Sequence, residues 1–390
     1  MRSVVIVWLA VMTLWGGMQM SPGLYRELSE VQKLIEAKNF TEASAQIAEL
    51  LGESEAPGEL AFIYQAKGYL ELEMEAADKA KASFEKALSL NILEGTARLN
   101  ILQNLGALCI QDGEYDKGIA YLLDWLKATP KPHPGVHITL ATAYVKQEKL
   151  TEALHHAKTA VSLSEEPKES WYALLSALYY QKGELDSAAK TLETMLKLFG
   201  IKKNYLSQLF GIRMQQEDHK EALAIWSLAD RSGLLEKKEE LEQLAMLYGV
   251  NGVPLEAARV LVRGMDGGSI PEDLEHLQLC YEYFLGAKEY ETARIYLAKA
   301  AELAEDGKLY VQYGQLLFEA EEYEMAAKAF ERALKKGALN HLADVWMLSG
   351  ISLYESGRES EAKASFKKAA EFEKNRAAAQ SWVNFLESRE

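Results

Sequence analysis

Blocks of large apolar residues alternate with short polar segments along most of the chain, and each pair of blocks carries a small residue at a fixed point. Nine of the ten small residues are alanine and one is glycine, and their intervals run from 33 to 38 residues. A period of this length is typical of arrays of helix pairs. The ten positions are Ala43, Ala80, Gly118, Ala153, Ala188, Ala222, Ala257, Ala293, Ala326 and Ala362.

A second, looser set of positions lies twelve residues before each of these. Most of its members are also small, and small residues at two fixed points let two helices approach closely where they cross. The ten positions therefore predict ten helix pairs, with one crossing in each pair. The second set is Val31, Gly68, Gly106, Ala141, Ser176, Phe210, Ala245, Tyr281, Gly314 and Gly350.

The segment between the two small positions has the composition of a turn. Four of these segments place a glycine where the first helix must end, namely Gly113, Gly183, Gly252 and Gly357. The eight prolines fall between pairs, in a turn or before the array, and none interrupts a predicted helix interior.

These features resemble the tetratricopeptide repeat family, and the resemblance covers residues 24–372. Segments 105–117 and 313–334 match its pattern of a small residue near the eighth position and alanine at the twentieth. The resemblance implies an all-α fold, a TPR α-solenoid in which about ten helix pairs form a right-handed superhelix. Residues 376–390 read as one more amphipathic helix that caps the last pair.

Residues 1–20 differ from the rest and have the pattern of a targeting segment. Arg2 precedes an apolar stretch that runs from Val4 to Met12 and continues through Leu14 and Trp15. Its length fits a secretory signal and falls short of the roughly 20 residues of a membrane-spanning helix. We therefore expect export to the periplasm, with an uncleaved inner-membrane signal anchor as one alternative and a buried N-terminal helix as the other.

Composition narrows the chemistry that the chain can perform. A net charge of −15 disfavours binding to the nucleic-acid backbone, and two cysteines cannot form a Cys-based zinc site. His133 and His137 have a metal-like spacing, but Pro134 denies them a shared helix turn. The carboxylates occur in surface-like runs, and no nucleophile or phosphate-loop motif is present. The sequence predicts a protein without catalytic residues, metal or cofactor.

The remaining candidate surface is the concave groove, which the first helix of each pair lines in arrays of this kind. The functional interpretation is an aromatic and amide-lined trough for an extended peptide or a partner helix. The alternative is that Tyr180, Phe318 and Tyr354 partly pack between neighbouring pairs. The candidate groove residues are Phe62, Tyr69, Asn100, Gln103, Thr142, Tyr180, Asn204, Gln315, Phe318 and Tyr354.

The whole-chain layout of a leader, ten repeats and a short capping helix resembles the tetratricopeptide proteins that accompany TonB–ExbB–ExbD transport systems. This resemblance implies a non-catalytic scaffold of the bacterial envelope with TonB, ExbB or ExbD as its partner. TonB proteins characteristically carry a Pro- and Lys-rich segment, to which an acidic array is complementary in charge. The alternatives are an adaptor in outer-membrane, cell-wall or pilus assembly and, third, an enzyme or enzyme regulator.

We predict that Ala188→Leu or Ala326→Leu destabilises the array, because a larger side chain at a close helix crossing overpacks it. The expected loss in the free energy of unfolding is about 1–3 kcal/mol, measured by chemical denaturation. An unchanged melting transition in both variants would show that the alanines do not mark the crossings.

Overall fold

The computed structural model describes residues 20–129 and 132–389. These residues form twenty-one α-helices and one short 3-10 helix, and they contain no strand. The helices fall into two compact units, one ending at Gly200 and the other beginning at Ile201. Among the described residues, no helix combines the length and the apolar character that crossing a bilayer requires. The predicted leader lies outside the described residues except for Met20.

The first unit contains ten helices, whose bounds are α1 Pro22–Glu36, α2 Phe40–Glu53, α3 Pro57–Glu73, α4 Ala77–Ser89, α5 Gly95–Gln111, α6 Tyr115–Ala128, α7 Pro134–Lys146, α8 Leu150–Leu163, α9 Glu169–Gln181 and α10 Leu185–Phe199. The second unit contains eleven, whose bounds are α11 Lys203–Gln215, α12 His219–Arg231, α13 Lys238–Val250, α14 Pro254–Asp266, α15 Leu274–Gly286, α16 Tyr290–Leu303, α17 Lys308–Glu319, α18 Tyr323–Lys336, α19 Leu342–Glu355, α20 Glu359–Ala370 and α21 Arg376–Glu387.

Within each unit, a helix packs chiefly against the helices before and after it in the chain. The ten small residues of the first set lie on the second helix of each pair, that is, on the even-numbered helices from α2 to α20. All ten are buried. Their side chains are short enough to let the first helix approach the second closely. The hydrophobic core is therefore a row of local clusters rather than one centre.

Side chains on the two helices of a pair are matched in size where they cross. The residue sixteen positions after Gly68, Gly314 or Gly350 is a phenylalanine, and its ring lies against the glycine. A Cβ atom at Gly314 would lie 2.7 Å from Cε1 of Phe330, closer than carbon atoms approach without displacement. Glycine is thus the residue that allows an aromatic ring into the crossing.

Each turn inside a pair contains one residue in the left-handed backbone region. Four of them are the predicted glycines, and the other six are lysine or glutamate, which adopt this conformation at a cost of roughly 1–2 kcal/mol. At Glu148 the cost is offset by the backbone bond from Lys149 N–H to the Tyr144 carbonyl, 2.9 Å, which satisfies the end of α7. The six are Lys38, Glu75, Glu148, Glu217, Lys288 and Glu321.

The last helix, α21, covers the apolar face of α20. Trp382 stacks on Phe366 with ring centroids 5.0 Å apart, and Val383 and Leu386 are buried in the same cluster. Arg389 donates a hydrogen bond to the Tyr354 hydroxyl at 3.0 Å. The polar residues of α21 remain exposed, so the helix closes the second unit with a hydrophilic surface.

We predict that Gly314→Ala destabilises the second unit by about 1–3 kcal/mol, because the new methyl group overlaps the Phe330 ring. Shortening the partner in Gly314→Ala/Phe330→Leu should cost less than the sum of the two single substitutions. Urea denaturation of the four proteins measures this coupling.

Gly211→Ala is the matched control, since its added Cβ meets no atom within 4 Å. It should be neutral or stabilising by up to about 1 kcal/mol, as expected for alanine in a helix. Additive costs at positions 314 and 330 would contradict the proposed size matching.

Candidate partner-binding site

Two of the predicted groove residues meet in a cavity on the first unit. Phe62 and Tyr69, both on α3, face α1 across an opening of about 120 Å³. Aromatic rings and amide side chains make up much of its wall, which is the composition expected of a peptide-binding surface. The remaining wall residues are Met20, Tyr25, Leu28, Ser29, Val31, Gln32, Gln65 and Ala66.

The starts of α1 and α3 are tied together, and this tie fixes the cavity. Ser21 caps α1 by accepting a hydrogen bond from the Leu24 N–H at 3.3 Å. The same hydroxyl donates to Oε1 of Glu59, in the first turn of α3, at 2.8 Å. Pro22 and Pro57 begin the two helices, where a missing N–H costs nothing.

Tyr69 and Gln65 line the floor of the cavity and belong to a larger cluster of amides around the Tyr69 phenol. Tyr69 is 2% exposed, and its ring meets Phe84 edge-on at 5.2 Å. Burial raises the pKa of Tyr69, and hydrogen bonds with Gln65, Asn104 and Asn100 only partly oppose this rise. The phenol is therefore uncharged at neutral pH and holds the amides of α3 and α5 in place.

The rim of the cavity is aromatic, and an acidic side chain is bonded to one of its wall residues. Tyr25 is 50% exposed, whereas Phe62 is half-buried. Gln32 donates a hydrogen bond to Oε1 of Glu36, one helical turn further along α1, at 3.0 Å. Residues 21–76 contain eleven glutamates against four lysines or arginines, a net charge of −7. The cavity therefore opens within a strongly negative region.

The other predicted groove residues of the first unit are spread over three helices. Asn100 and Gln103 are half-buried on α5, and Asn100 contributes to the cluster around Tyr69. Thr142 is exposed on α7 and donates its hydroxyl to the Ile138 carbonyl at 2.9 Å. Tyr180, on α9, is 51% exposed. These residues do not line the cavity between α1 and α3.

The predicted residues of the second unit divide into exposed and packed side chains. Asn204 on α11 and Gln315 on α17 are exposed. Phe318 meets Tyr323 edge-on at 5.5 Å. Tyr354 is surrounded by Trp382 and Phe385 of α21, at 5.1 and 6.0 Å between ring centroids, so much of its ring is engaged in helix packing.

Sequence reasoning missed four wall residues that the repeat register could have found. Tyr25 occupies the register position of Phe62 and Asn100, six residues before the aligned position of its pair. Leu28 and Gln65 occupy the position of Gln103, and Gln32 that of Tyr69. The first pair was harder to interpret because valine replaces its small residue at position 31.

A buried pair of histidines joins α7 to α8. Nδ1 of His137 lies 2.9 Å from Nδ1 of His156, so one ring donates to the other, and Tyr144 stacks on His156 at 5.6 Å. Burial lowers the pKa of both rings, that of His156 to about 4, and the neighbouring His155 adds to the effect. Both are neutral at pH 7. The sequence indicated only the spacing of His133 and His137, which Pro134 argued against as a site. The side chain of His133 caps α7 by accepting a hydrogen bond from the Gly135 N–H at 3.1 Å.

A second buried histidine, His276 on α15, lies between two carboxylates. Its Nδ1 is 2.6 Å from Asp273 and its Nε2 is 2.7 Å from Glu242 on α13. Burial lowers its pKa, but the hydrogen bonds to Glu242 and Asp273 outweigh burial and the net pKa is raised. The protonated ring can donate a hydrogen bond from each nitrogen, one to Asp273 and one to Glu242, and so links α13 to α15 more strongly than the neutral ring.

Neither centre has the grouped ligands of a metal site. Within residues 20–129 and 132–389, no three His, Cys, Asp or Glu side chains are grouped so as to hold a metal ion. Cys109 and Cys280 are free, buried thiols, and burial raises the pKa of Cys280 to about 12. A thiol held in its protonated form is a poor nucleophile.

Comparison with protein families identifies the repeat. A model described as tetratricopeptide repeat matches residues 138–200 and 313–381, and a second model of the same description matches residues 63–91. The predicted fold class, an all-α tetratricopeptide-repeat solenoid, is confirmed. Arrays of this repeat imply a scaffold for protein–protein interaction. The resemblance to TonB-associated proteins stays a prediction.

Several solved structures match this chain at low sequence identity. A tetratricopeptide repeat protein from Parabacteroides merdae is 14% identical, with 76% of this chain and 99% of that chain aligned and a TM-score of 0.37. PilF of Pseudomonas aeruginosa is 15% identical, covering 53% and 90%, with a TM-score of 0.35. YrrB, a TPR protein with an unusual peptide-binding site, is 17% identical, covering 51% and 92%, with a TM-score of 0.37. Among curated proteins, none matches the sequence.

We predict that His276→Gln costs more stability at pH 5.5 than at pH 8.5, by on the order of 1 kcal/mol. A raised pKa in the folded state adds stability below the unfolded pKa of about 6.5, and this stability is lost as the pH rises through the folded value. Urea denaturation at the two pH values measures the difference.

His156→Gln is the control of opposite sign, because a lowered pKa contributes stability that is lost as the pH falls from about 6.5 towards 4. Its cost should be larger at pH 8.5. Equal costs at both pH values for His276→Gln would mean that the ring is not charged between its carboxylates.

Proposed function

We propose that this protein is a non-catalytic scaffold of the bacterial envelope, an accessory component of a TonB–ExbB–ExbD energy-transducing uptake system. In this role it acts in the periplasm and binds a segment of TonB, ExbB or ExbD in the groove formed by its first helices. The leader either is removed on export or anchors the array to the inner membrane.

The observation that carries the proposal is the amide- and aromatic-lined cavity between α1 and α3, within a region of net charge −7. Aromatic rings and amides suit an extended peptide, whose backbone needs hydrogen-bond partners. Negative charge favours a basic partner and accelerates its approach. The layout of leader, repeats and capping helix supports a TonB system as the source of that partner.

We predict that a fluorescent Lys/Pro-rich peptide binds the full chain in a salt-dependent manner. Its affinity should fall about tenfold between roughly 20 mM and 300 mM NaCl, because salt screens the attraction between exposed charges. Fluorescence anisotropy measures both affinities. A matched peptide with glutamate in place of lysine is the control and should not bind. Absence of binding at either salt concentration would contradict a basic, proline-rich partner.

Crosslinking in intact cells, followed by capture of the full chain from the envelope, tests the identity of the partner. Recovery of TonB, ExbB or ExbD supports the TonB system. Recovery of outer-membrane, cell-wall or pilus assembly components instead would place the scaffold in a different envelope process and overturn the specific assignment.

A further inference from the structure

We propose that the cavity between α1 and α3 recognises one backbone conformation, a lysine-bearing segment in the polyproline II helix, with one prolyl ring held among Tyr25, Phe62 and Tyr69. The proposal rests on the proposed function for the existence of a partner segment. It adds the conformation of that segment, its register and the residues that select it.

The size and lining of the cavity suit a small ring. Its volume is about 120 Å³, and a cavity of roughly 150 Å³ is sufficient for a benzene ring. Three aromatic side chains supply the wall, and two of them belong to one helix, α3. A prolyl ring is apolar and already fixed in φ, so little conformational freedom is lost when it enters.

The amide side chains suit the backbone of the same segment. A polyproline II helix has no internal hydrogen bonds, so all its carbonyl groups need outside donors. Gln32 and Gln65 line the cavity from α1 and α3. A glutamine amide has two N–H donors, and Gln32 gives a hydrogen bond to Glu36. Amides on both walls therefore meet a ligand that runs across the two helices.

The spacing of the helices sets the register. One turn of polyproline II has three residues and advances about 9 Å, and packed helices lie about 8–10 Å apart. The first helices α1 and α3 are in direct contact. A prolyl ring inserted between α1 and α3 is therefore followed, three residues along the ligand, by a side chain that lies about one helix spacing further along the surface. Proline at every third position fits this surface, and proline at every second position does not.

Charge on the same helix faces favours lysine between the prolines. Glu36 follows Gln32 by four residues on α1, and Glu73 follows Tyr69 by four on α3. Residues with this spacing share a helix face, so both carboxylates flank the cavity on its side nearer the turns. Residues 21–76 carry a net charge of −7 and extend this preference beyond the two.

Three synthetic peptides of equal length and equal lysine content test the conformation and register. One has proline at every third position, one has the same number of prolines at every second position, and one has alanine in place of proline. We expect the first to bind the full chain at least about tenfold more tightly than the other two, measured by anisotropy at low salt. Equal affinity for all three would overturn the proposal.

Substitutions with matched controls test the location. Tyr25→Ser should weaken binding of the first peptide about tenfold, whereas Tyr290→Ser, at a tyrosine 58% exposed on α16, should leave it within about twofold. Glu36→Gln/Glu73→Gln should weaken it and flatten its salt dependence, unlike Glu331→Gln, at an exposed glutamate on α18 outside residues 21–76. All five substituted positions carry exposed or half-buried side chains, and circular dichroism verifies that each variant folds. Unchanged binding in Tyr25→Ser would overturn the proposal.

The outcomes separate this proposal from the proposed function. Capture of TonB by a full chain that shows no preference among the three peptides would leave the proposed function intact and remove the polyproline II site. Selective binding of the first peptide, with no TonB, ExbB or ExbD recovered from the envelope, would keep the site and remove the TonB assignment.

Discussion

The close crossing of two helices within each pair is the constraint on which the rest of the structure depends. Ten buried small residues on the second helices allow this approach, and the opposing residue adjusts in size, as glycine does against Phe84, Phe330 and Phe366. Overpacking such a contact is costly because protein interiors are already close-packed. Since each crossing is built from residues twelve to sixteen positions apart in the chain, the fold is specified locally, pair by pair.

Because the crossing uses only one face of each first helix, the opposite face is free to vary in chemistry. On α3 the residues flanking Gly68 illustrate this separation: Phe62 and Gln65 reach the cavity, while Ile63 and Leu70 are buried in the core of the first unit. On α19 the register position that Tyr180 and Phe318 occupy in their own pairs carries Tyr354, whose ring α21 covers. The position of a residue in the repeat therefore fixes the direction of its side chain. Whether a partner can reach that side chain depends on the neighbouring helices.

The local character of the repeat explains what the sequence could predict. The crossings follow from alanine and glycine at fixed points, and four of the ten turns follow from glycine. The six turns with lysine or glutamate could not be predicted from residue type, since backbone bonds such as that from Lys149 to Tyr144 offset their strain. The contact between His137 and His156 was missed because it joins two helices, whereas spacing along the chain reports only on one. The predicted list of cavity residues was incomplete for a similar reason. The α1 wall belongs to the first pair, where Val31 replaces the small residue that marks the repeat register.

The distribution of charge and of buried polar groups assigns different tasks to different parts of the first unit. Exposed glutamates attract a basic segment over about a Debye length, but they act on any cation and select little. Gln65, Tyr69 and Asn104 are nearly shielded from water, and of these Gln65 and Tyr69 line the cavity. A ligand that leaves the Gln65 amide badly matched therefore loses the full value of its hydrogen bonds. For the proposed ligand, we therefore expect selectivity to arise at the cavity floor and attraction at its rim. A purely apolar peptide would fit the aromatic walls yet gain nothing from the carboxylates, and a lysine-rich peptide without a ring to insert would gain only the screened part of the interaction.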